Sequence, residues 1–195
     1  MRALVCETLG PVNSHRVQEI PDPVPGKRQV AVRVHACGVN FADTLIVQGK
    51  YQERPELPFV PGSEVAGEVI ALGEGVKGIA LGQRVMALTS VGGFAEIALA
   101  AADTLIPLPD GIDFTDAAAF TVAYGTSHVA LETRAQLKAG ETLIINGASG
   151  GVGLTALEIG KMIGATVIGL ASTEEKRALV AERGADHVFD VADPE

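Results

Sequence analysis

The residues with the clearest chemical potential are Ala148-Ser149-Gly150-Gly151-Val152-Gly153, which fit the pattern G-x-G-x-x-G with alanine in the first place. A short β-branched apolar run, Thr142 to Asn146, precedes them, and a stretch of helical periodicity, Leu154 to Ile163, follows and stops at Gly164. A glycine-rich turn between a strand and a helix suits a diphosphate. Gly150 would let the main chain approach the anion with no Cβ in the way, and Gly153 would let the helix pack closely on the sheet. The helix N-terminus would add unpaired N–H groups and a partial positive charge. Four glycines between Gly147 and Gly153 cost backbone entropy of roughly 0.5–1 kcal/mol each relative to alanine. That cost argues for a turn with a ligand rather than a bare glycine-rich connection.

The identity of the dinucleotide turns on the end of the next strand, where an acidic side chain about 20 positions on would hold the ribose 2′-hydroxyl of NAD. Here the stretch reads Gly169-Leu170-Ala171-Ser172-Thr173 and contains no acid. The Ser172 and Thr173 hydroxyls, a helix start and the cations Lys176 and Arg177 favour a 2′-phosphate instead, so the expected cofactor is NADP(H). Ser172 equally fits an N-cap in a capping box with Glu175, with Lys176 and Arg177 on a solvated helix face.

The elements that must position this turn read as two domains. Over the first hundred or so residues the chain is rich in glycine and proline, with short alternating runs divided by turn signals. Val30, Val32, Val34 and Ala36 alternate with Arg33 and His35, which predicts a half-buried strand. Further strands are expected near Ala3 to Cys6, Glu64 to Leu72, Arg84 to Leu88, Phe94 to Leu99 and Thr104 to Leu108. After Pro109 the grammar changes. Helices are expected over Phe114 to Phe120 and Gly125 to Leu137, then strand Thr142 to Asn146, the glycine turn and its helix. Strand Thr166 to Leu170, a charged helix from about Thr173 to Arg183 and a short strand at His187 to Phe189 complete the pattern. This βαβαβ order implies a parallel sheet with right-handed crossovers.

Composition removes other classes. The 195 residues carry 15 basic against 24 acidic side chains, a net charge of -9, which argues against nucleic acid as a partner. No apolar run approaches the roughly 20 residues of a bilayer span, and the opening MRALVCETLGP lacks a signal-peptide core, so a cytoplasmic protein is expected. Cys6 and Cys37 supply neither a disulfide framework nor a cysteine-rich zinc site, and His15, His35, His128 and His187 are scattered.

The glycine turn and its flanks, NGASGGVGL, are joined by GVNFADTLIVQGKY (Gly38 to Tyr51), LPFVPGSEVAGEV (Leu57 to Val69), GGFAEIALA (Gly92 to Ala100) and AYGTSHVAL (Ala123 to Leu131). In this order they resemble the medium-chain dehydrogenase/reductase superfamily, specifically its zinc-free quinone oxidoreductase, zeta-crystallin-like branch, over essentially the whole chain. The resemblance implies an α/β plus β fold: a GroES-like β-rich catalytic domain over 1–120, then over 121–195 the first half, about three parallel strands, of a Rossmann dinucleotide-binding domain. Zinc-dependent relatives have a cysteine and a His-Glu pair where this chain has Asn40 and Gly62-Ser63-Glu64, so no metal is expected.

Without zinc, a carbonyl must be polarised by hydrogen-bond donors. Asn40 and Tyr51 are the candidates. The resemblance implies that Asn40, Asp43 and Tyr51 line a cleft beside the nicotinamide and that Thr126 lies near the cofactor. The cofactor set is then Thr126, Ala148, Ser149, Gly150, Gly151, Val152, Gly153, Ser172 and Lys176. Asn40 equally fits an N-cap with Asp43 at its third position, Tyr51 fits half-buried packing, and Cys37 fits a small buried thiol.

The activity implied is hydride transfer from NADPH to a small-molecule quinone or α,β-unsaturated carbonyl, in a homodimer for full-length relatives. From Thr142 only about 50 residues follow, so the second half of the nucleotide domain is expected to be missing and the first strand of the sheet to stand at an open edge. A truncated, non-catalytic nucleotide-binding or structural relative and a zinc-type alcohol dehydrogenase are the alternatives.

Overall fold

The computed structural model describes residues 1–192, and the chain divides into two compact units, Met1–Val122 and Ala123–Glu195. The first unit is built on an antiparallel sheet. Its strands are β3 (Gln29–Cys37), β4 (Glu64–Leu72), β5 (Arg84–Leu88), β6 (Ile97–Ala101) and β7 (Leu105–Pro107), in spatial order β6-β3-β4-β5-β7. β1 (Arg2–Val5) and β2 (Arg16–Glu19) form a separate antiparallel pair. One face of the larger sheet buries Val30, Val32, Val65, Val69, Val85, Ala87, Ala98 and Ala100, the β-branched and small residues that the period-two pattern puts on one side.

The β3 pattern bends where the register shifts between Val34 and Ala36. Beyond this bulge Ala36 joins Ala66, Ala117 and Ala118 in a second cluster, under helix α2 (Phe114–Ala118). The strand therefore serves two hydrophobic layers, not the single face expected. Gly67 of β4 is needed for this pairing, because a Cβ there would stand 1.9 Å from the Arg33 carbonyl oxygen. β2 escaped the sequence reading because its residues, Arg-Val-Gln-Glu, are mostly exposed and leave no apolar alternation.

The helix boundaries after residue 113 also differ from expectation. α2 ends at Ala118, and α3 (Phe120–His128) runs through the segment expected to separate two helices, followed by a wider π-helical turn over Val129–Arg134. Side-chain contacts from distant segments, described below, support α3 where local propensity does not.

The second unit holds β8 (Thr142–Asn146), α4 (Gly151–Ile163), β9 (Thr166–Ala171), α5 (Glu174–Glu182) and β10 (His187–Asp190). The three strands are parallel in order β10-β9-β8, the 3-2-1 half of a doubly wound sheet. Among the described residues β8 is an edge, and Ile144 is 65% exposed. Ile145, Ala148, Leu157, Val167, Ala171 and Val180 form the core. Gly160 lets α4 lie against the sheet, since a Cβ would come 2.7 Å from Leu143 Cδ2, and Gly164 closes α4 in the left-handed conformation at φ 91°. No described helix is long and apolar enough to cross a membrane.

Candidate functional site

At the end of β8 the chain turns through Gly147, whose φ of 69° suits glycine. The Ala148 side chain is fully buried and its N–H donates to the Leu170 carbonyl at 3.0 Å, which ties the turn to β9. Gly150 donates to the Gly147 carbonyl at 3.0 Å and then N-caps α4 in an extended conformation, with no side chain capping the helix. α4 starts at Gly151, three residues before the periodicity of the sequence begins, because the glycines of its first turn contribute nothing to an apolar pattern.

The first-turn amides of Gly151, Val152 and Gly153 have no acceptor within the helix. A Cβ on Gly153 would lie 2.5 Å from the Gly147 carbonyl oxygen and 2.8 Å from Ala148 Cα, so glycine is required for the helix to sit on the turn. A Cβ on Gly151 would meet no protein atom within 4 Å. An uncapped helix end facing open space across a bare main chain, with Ser149 part-buried beside it, fits a diphosphate.

Thr126 is exposed on α3. Its neighbour Ser127, which the sequence reading passed over, is 1% exposed and donates to the Val152 carbonyl at 2.9 Å. Ser127 Oγ also lies 2.7 Å from Thr155 Oγ1, and Thr155 reaches the Ala123 carbonyl at 3.0 Å. Ser127 thus fixes the turn of helix that bears Thr126 against the first turn of α4. No local pattern marks it, since Ser127 stands between Thr126 and His128 in a polar stretch of the chain.

At the end of β9 the helix cap is Thr173, which accepts from Lys176 N at 3.3 Å. The expected Ser172–Glu175 capping box is therefore corrected by one residue: β9 continues to Ala171 and α5 starts that much later. A hydrogen bond with the Thr173 side chain, together with the helix-end amide, holds the Glu175 carboxyl below its usual range. Ser172 is left exposed. Arg177 is engaged, with Nη1 2.6 Å from Asp190 Oδ2, whereas exposed Lys176 makes no ion pair among the described residues.

In the first unit, Asn40 and Asp43 form a capping box at the start of α1 (Phe41–Val47), as one of the two sequence readings expects. Asp43 is 3% exposed; its Oδ2 accepts from Asn40 N at 2.8 Å and its Oδ1 from Ser63 Oγ at 3.3 Å. Burial raises its pKa, against the lowering effect of the Asn40, Ser63 and Gly62 hydrogen bonds.

Asn40 has a second partner that sequence did not reveal. Its Nδ2 donates to Glu64 Oε1 at 2.8 Å, while Glu64 Oε2 accepts from Val122 N at 2.8 Å. Glu64 is 2% exposed, and Gly38 makes room for it: a Cβ there would stand 2.3 Å from Oε1. Cys37 at the end of β3 donates to the Glu64 main-chain carbonyl at 3.0 Å; burial first, and the negative Asp43 and Glu64 next, push its thiol up to about 12.

Tyr51 packs against the cluster of Cys6, Ile46, Val47 and Phe59, and its hydroxyl has no hydrogen-bond partner among the described residues. His35 stacks on Phe114 and His128 pairs with Glu132. No group of three or more described His, Cys, Asp or Glu side chains is arranged to hold a metal ion.

A β-rich unit followed by a 3-2-1 parallel sheet, with a glycine turn feeding an uncapped helix, defines a GroES-like plus Rossmann dehydrogenase class of fold. Residues 26–110 match the alcohol dehydrogenase GroES-like domain, and residues 151–195 match the zinc-binding dehydrogenase family. The quinone oxidoreductase of Mus musculus is 44% identical over 191 residues, 97% of this chain and 58% of the relative. A quinone oxidoreductase-like protein 2 homolog of Nematostella vectensis is 43% identical over 85% of this chain and 46% of its own. The Escherichia coli quinone oxidoreductase complexed with NADPH superposes with a TM-score of 0.95 at 31% identity, covering 100% of this chain and 60% of that one. The chain belongs to the medium-chain dehydrogenase/reductase superfamily, and it spans 58% of the length of the first curated relatives it matches.

Proposed function

We propose that the chain carries the coenzyme-binding turn and the carbonyl-polarising groups of an NADPH-dependent, zinc-independent oxidoreductase that reduces quinones or α,β-unsaturated carbonyls. The observation that carries this reading is the uncapped N-terminus of α4 on its glycine turn. Its likeness to a quinone oxidoreductase that was solved with NADPH supports the reading.

The amides of Gly151, Val152 and Gly153 and the Ser149 hydroxyl bind the diphosphate, with Ala148 and Gly150 holding the turn in shape. Ser172 and Lys176 take the 2′-phosphate, where an acidic residue would repel it. Thr126, braced by Ser127, lies along the coenzyme. When bound, NADPH supplies the hydride. Asn40 keeps one Nδ2 hydrogen beyond the one given to Glu64, and donates it to the substrate oxygen on which negative charge develops. Asp43 holds the Asn40 main chain. The Tyr51 hydroxyl delivers a proton to the reduced oxygen or enolate, a base strong enough to take it from a phenol. Amide and hydroxyl donors at Asn40 and Ser63 suit hydrogen bonding rather than zinc ligation, which supports a metal-independent reaction. Two free cysteines suit the cytosol, and we extend to this chain the homodimer implied by the resemblance.

Fluorescence titration with NADPH followed by turnover of 1,4-benzoquinone tests the reading. Saturable binding and coenzyme oxidation without added metal are expected. Binding with no oxidation would instead support a nucleotide-binding protein without catalysis. Stoichiometric zinc in active protein would turn the assignment to an alcohol dehydrogenase.

A further inference from the structure

We propose that Glu64 is a positioning residue whose buried carboxylate, shared between the Asn40 side-chain amide and the Val122 main-chain amide, dictates which atom of Asn40 a substrate meets. The inference rests on the reading of Asn40 as a donor to substrate.

A carboxylate that is 2% exposed must have both oxygens satisfied, or its desolvation would be ruinous. Each oxygen of Glu64 takes one N–H at 2.8 Å, from residues 24 and 58 positions away in the chain. Val122 lies in the first turn of α3, where the helix offers its N–H no acceptor, so one oxygen completes the helix end. The other faces Asn40. An asparagine amide can be placed with either its nitrogen or its oxygen toward a partner, but a carboxylate accepts only, and so admits only the nitrogen. On the α1 side, Asp43 Oδ2 holds the Asn40 main-chain N–H at 2.8 Å. Beyond the hydrogen given to Glu64, Nδ2 keeps a second one, a donor.

A glutamine at this position has one acceptor and one donor group. It can accept from Val122 or from the Asn40 NH2 but not from both. With its oxygen on Val122, its NH2 confronts the Asn40 NH2, and the Asn40 amide turns over to present Oδ1 instead. A donor to the substrate oxygen is then replaced by an acceptor that repels it. A role limited to stability would lower the melting temperature and leave this polarity untouched.

The chain has three asparagines, Asn13, Asn40 and Asn146, so selective 15N-asparagine labelling resolves the Asn40 side-chain amide directly. In Glu64→Gln the Asn40 amide resonances are expected to move while those of Asn13 and Asn146 stay. Turnover of 1,4-benzoquinone should fall at least about tenfold in kcat with KM and NADPH affinity little changed. The double variant Glu64→Gln/Asn40→Asp restores a donor–acceptor pair with reversed polarity, so it should regain the melting temperature lost in Glu64→Gln without regaining turnover. Where Glu64→Gln does not fold, Glu64→Asp, which keeps the charge but cannot reach both amides, is read on the same resonances. Unmoved Asn40 resonances, or a double variant that recovers turnover along with stability, would overturn the proposal. A wild-type chain that fails to oxidise NADPH defeats the proposed function alone, because the resonances still decide the role of Glu64.

Discussion

Asn40 Nδ2 and Glu64 Oε1 stand 2.8 Å apart and join the start of α1 to the first residue of β4. Removing the amide strands one oxygen of a buried carboxylate. Asn40→Ala is therefore expected to cost about 1–3 kcal/mol in urea unfolding, the penalty of an unsatisfied buried acceptor. An unfolding curve superimposable on the wild type would mean that water reaches Glu64 freely.

Two glycines in the same turn separate packing from binding. Gly153→Ala forces a Cβ to 2.5 Å from the Gly147 oxygen and should lower stability by about 1–3 kcal/mol while disturbing the turn. Gly151→Ala meets no protein atom, and its φ is not positive, so the melting temperature should hold or rise. Its methyl group nevertheless stands where a diphosphate approaches, and NADPH affinity should drop at least about tenfold. Calorimetric melting and coenzyme titration of both variants check the contrast.

Coenzyme choice is expected to rest on Lys176 rather than Arg177, since Asp190 already occupies the guanidinium. Lys176→Glu should weaken NADPH about tenfold and leave NADH within about twofold. Arg177→Gln should cost stability more than NADPH affinity. Equal loss of both coenzymes in Lys176→Glu would exclude this assignment.

Asp186 gives stability a pH dependence of known sign. Hydrogen bonds from Lys161, at 2.6 and 2.7 Å, and from Val167 N hold its carboxyl below the usual range. A folded-state pKa lower than the unfolded value of about 3.9 stabilises the fold above that value and loses the contribution as pH falls through the folded one. Asp186→Asn should therefore melt earlier than wild type at pH 7, and the difference should close in acid, at about pH 2. A constant difference across that range would mean the ion pair is not what the aspartate supplies.

Much of this architecture is legible in the chain itself. β4, β5 and β8 coincide with the expected runs Glu64 to Leu72, Arg84 to Leu88 and Thr142 to Asn146, each mostly apolar and bounded by turn residues, and Gly164 ends α4 in the left-handed conformation. β2 was illegible because an exposed pair of strands needs no apolar period. α3 was illegible for a different reason: its first turn is completed by Glu64 and its last by Ser127, contacts 58 and 25 residues away that no local pattern encodes. The glycine turn could be read because its chemistry is written in consecutive residues. The role of Glu64 could not, since sequence displays it only as a residue in a place where a metal ligand is absent. Its meaning depends on Gly38, Asn40 and Val122 converging on one carboxylate.

The central claim is that the amides opening α4 hold the diphosphate of NADPH. Isothermal titration of the chain with NADPH, beside the Gly151→Ala variant at matched melting temperature, tests it most directly. The account predicts one saturable site in the wild type and at least about tenfold weaker binding in the variant. Equal affinity in the two proteins, or no heat from the folded wild type, would contradict it.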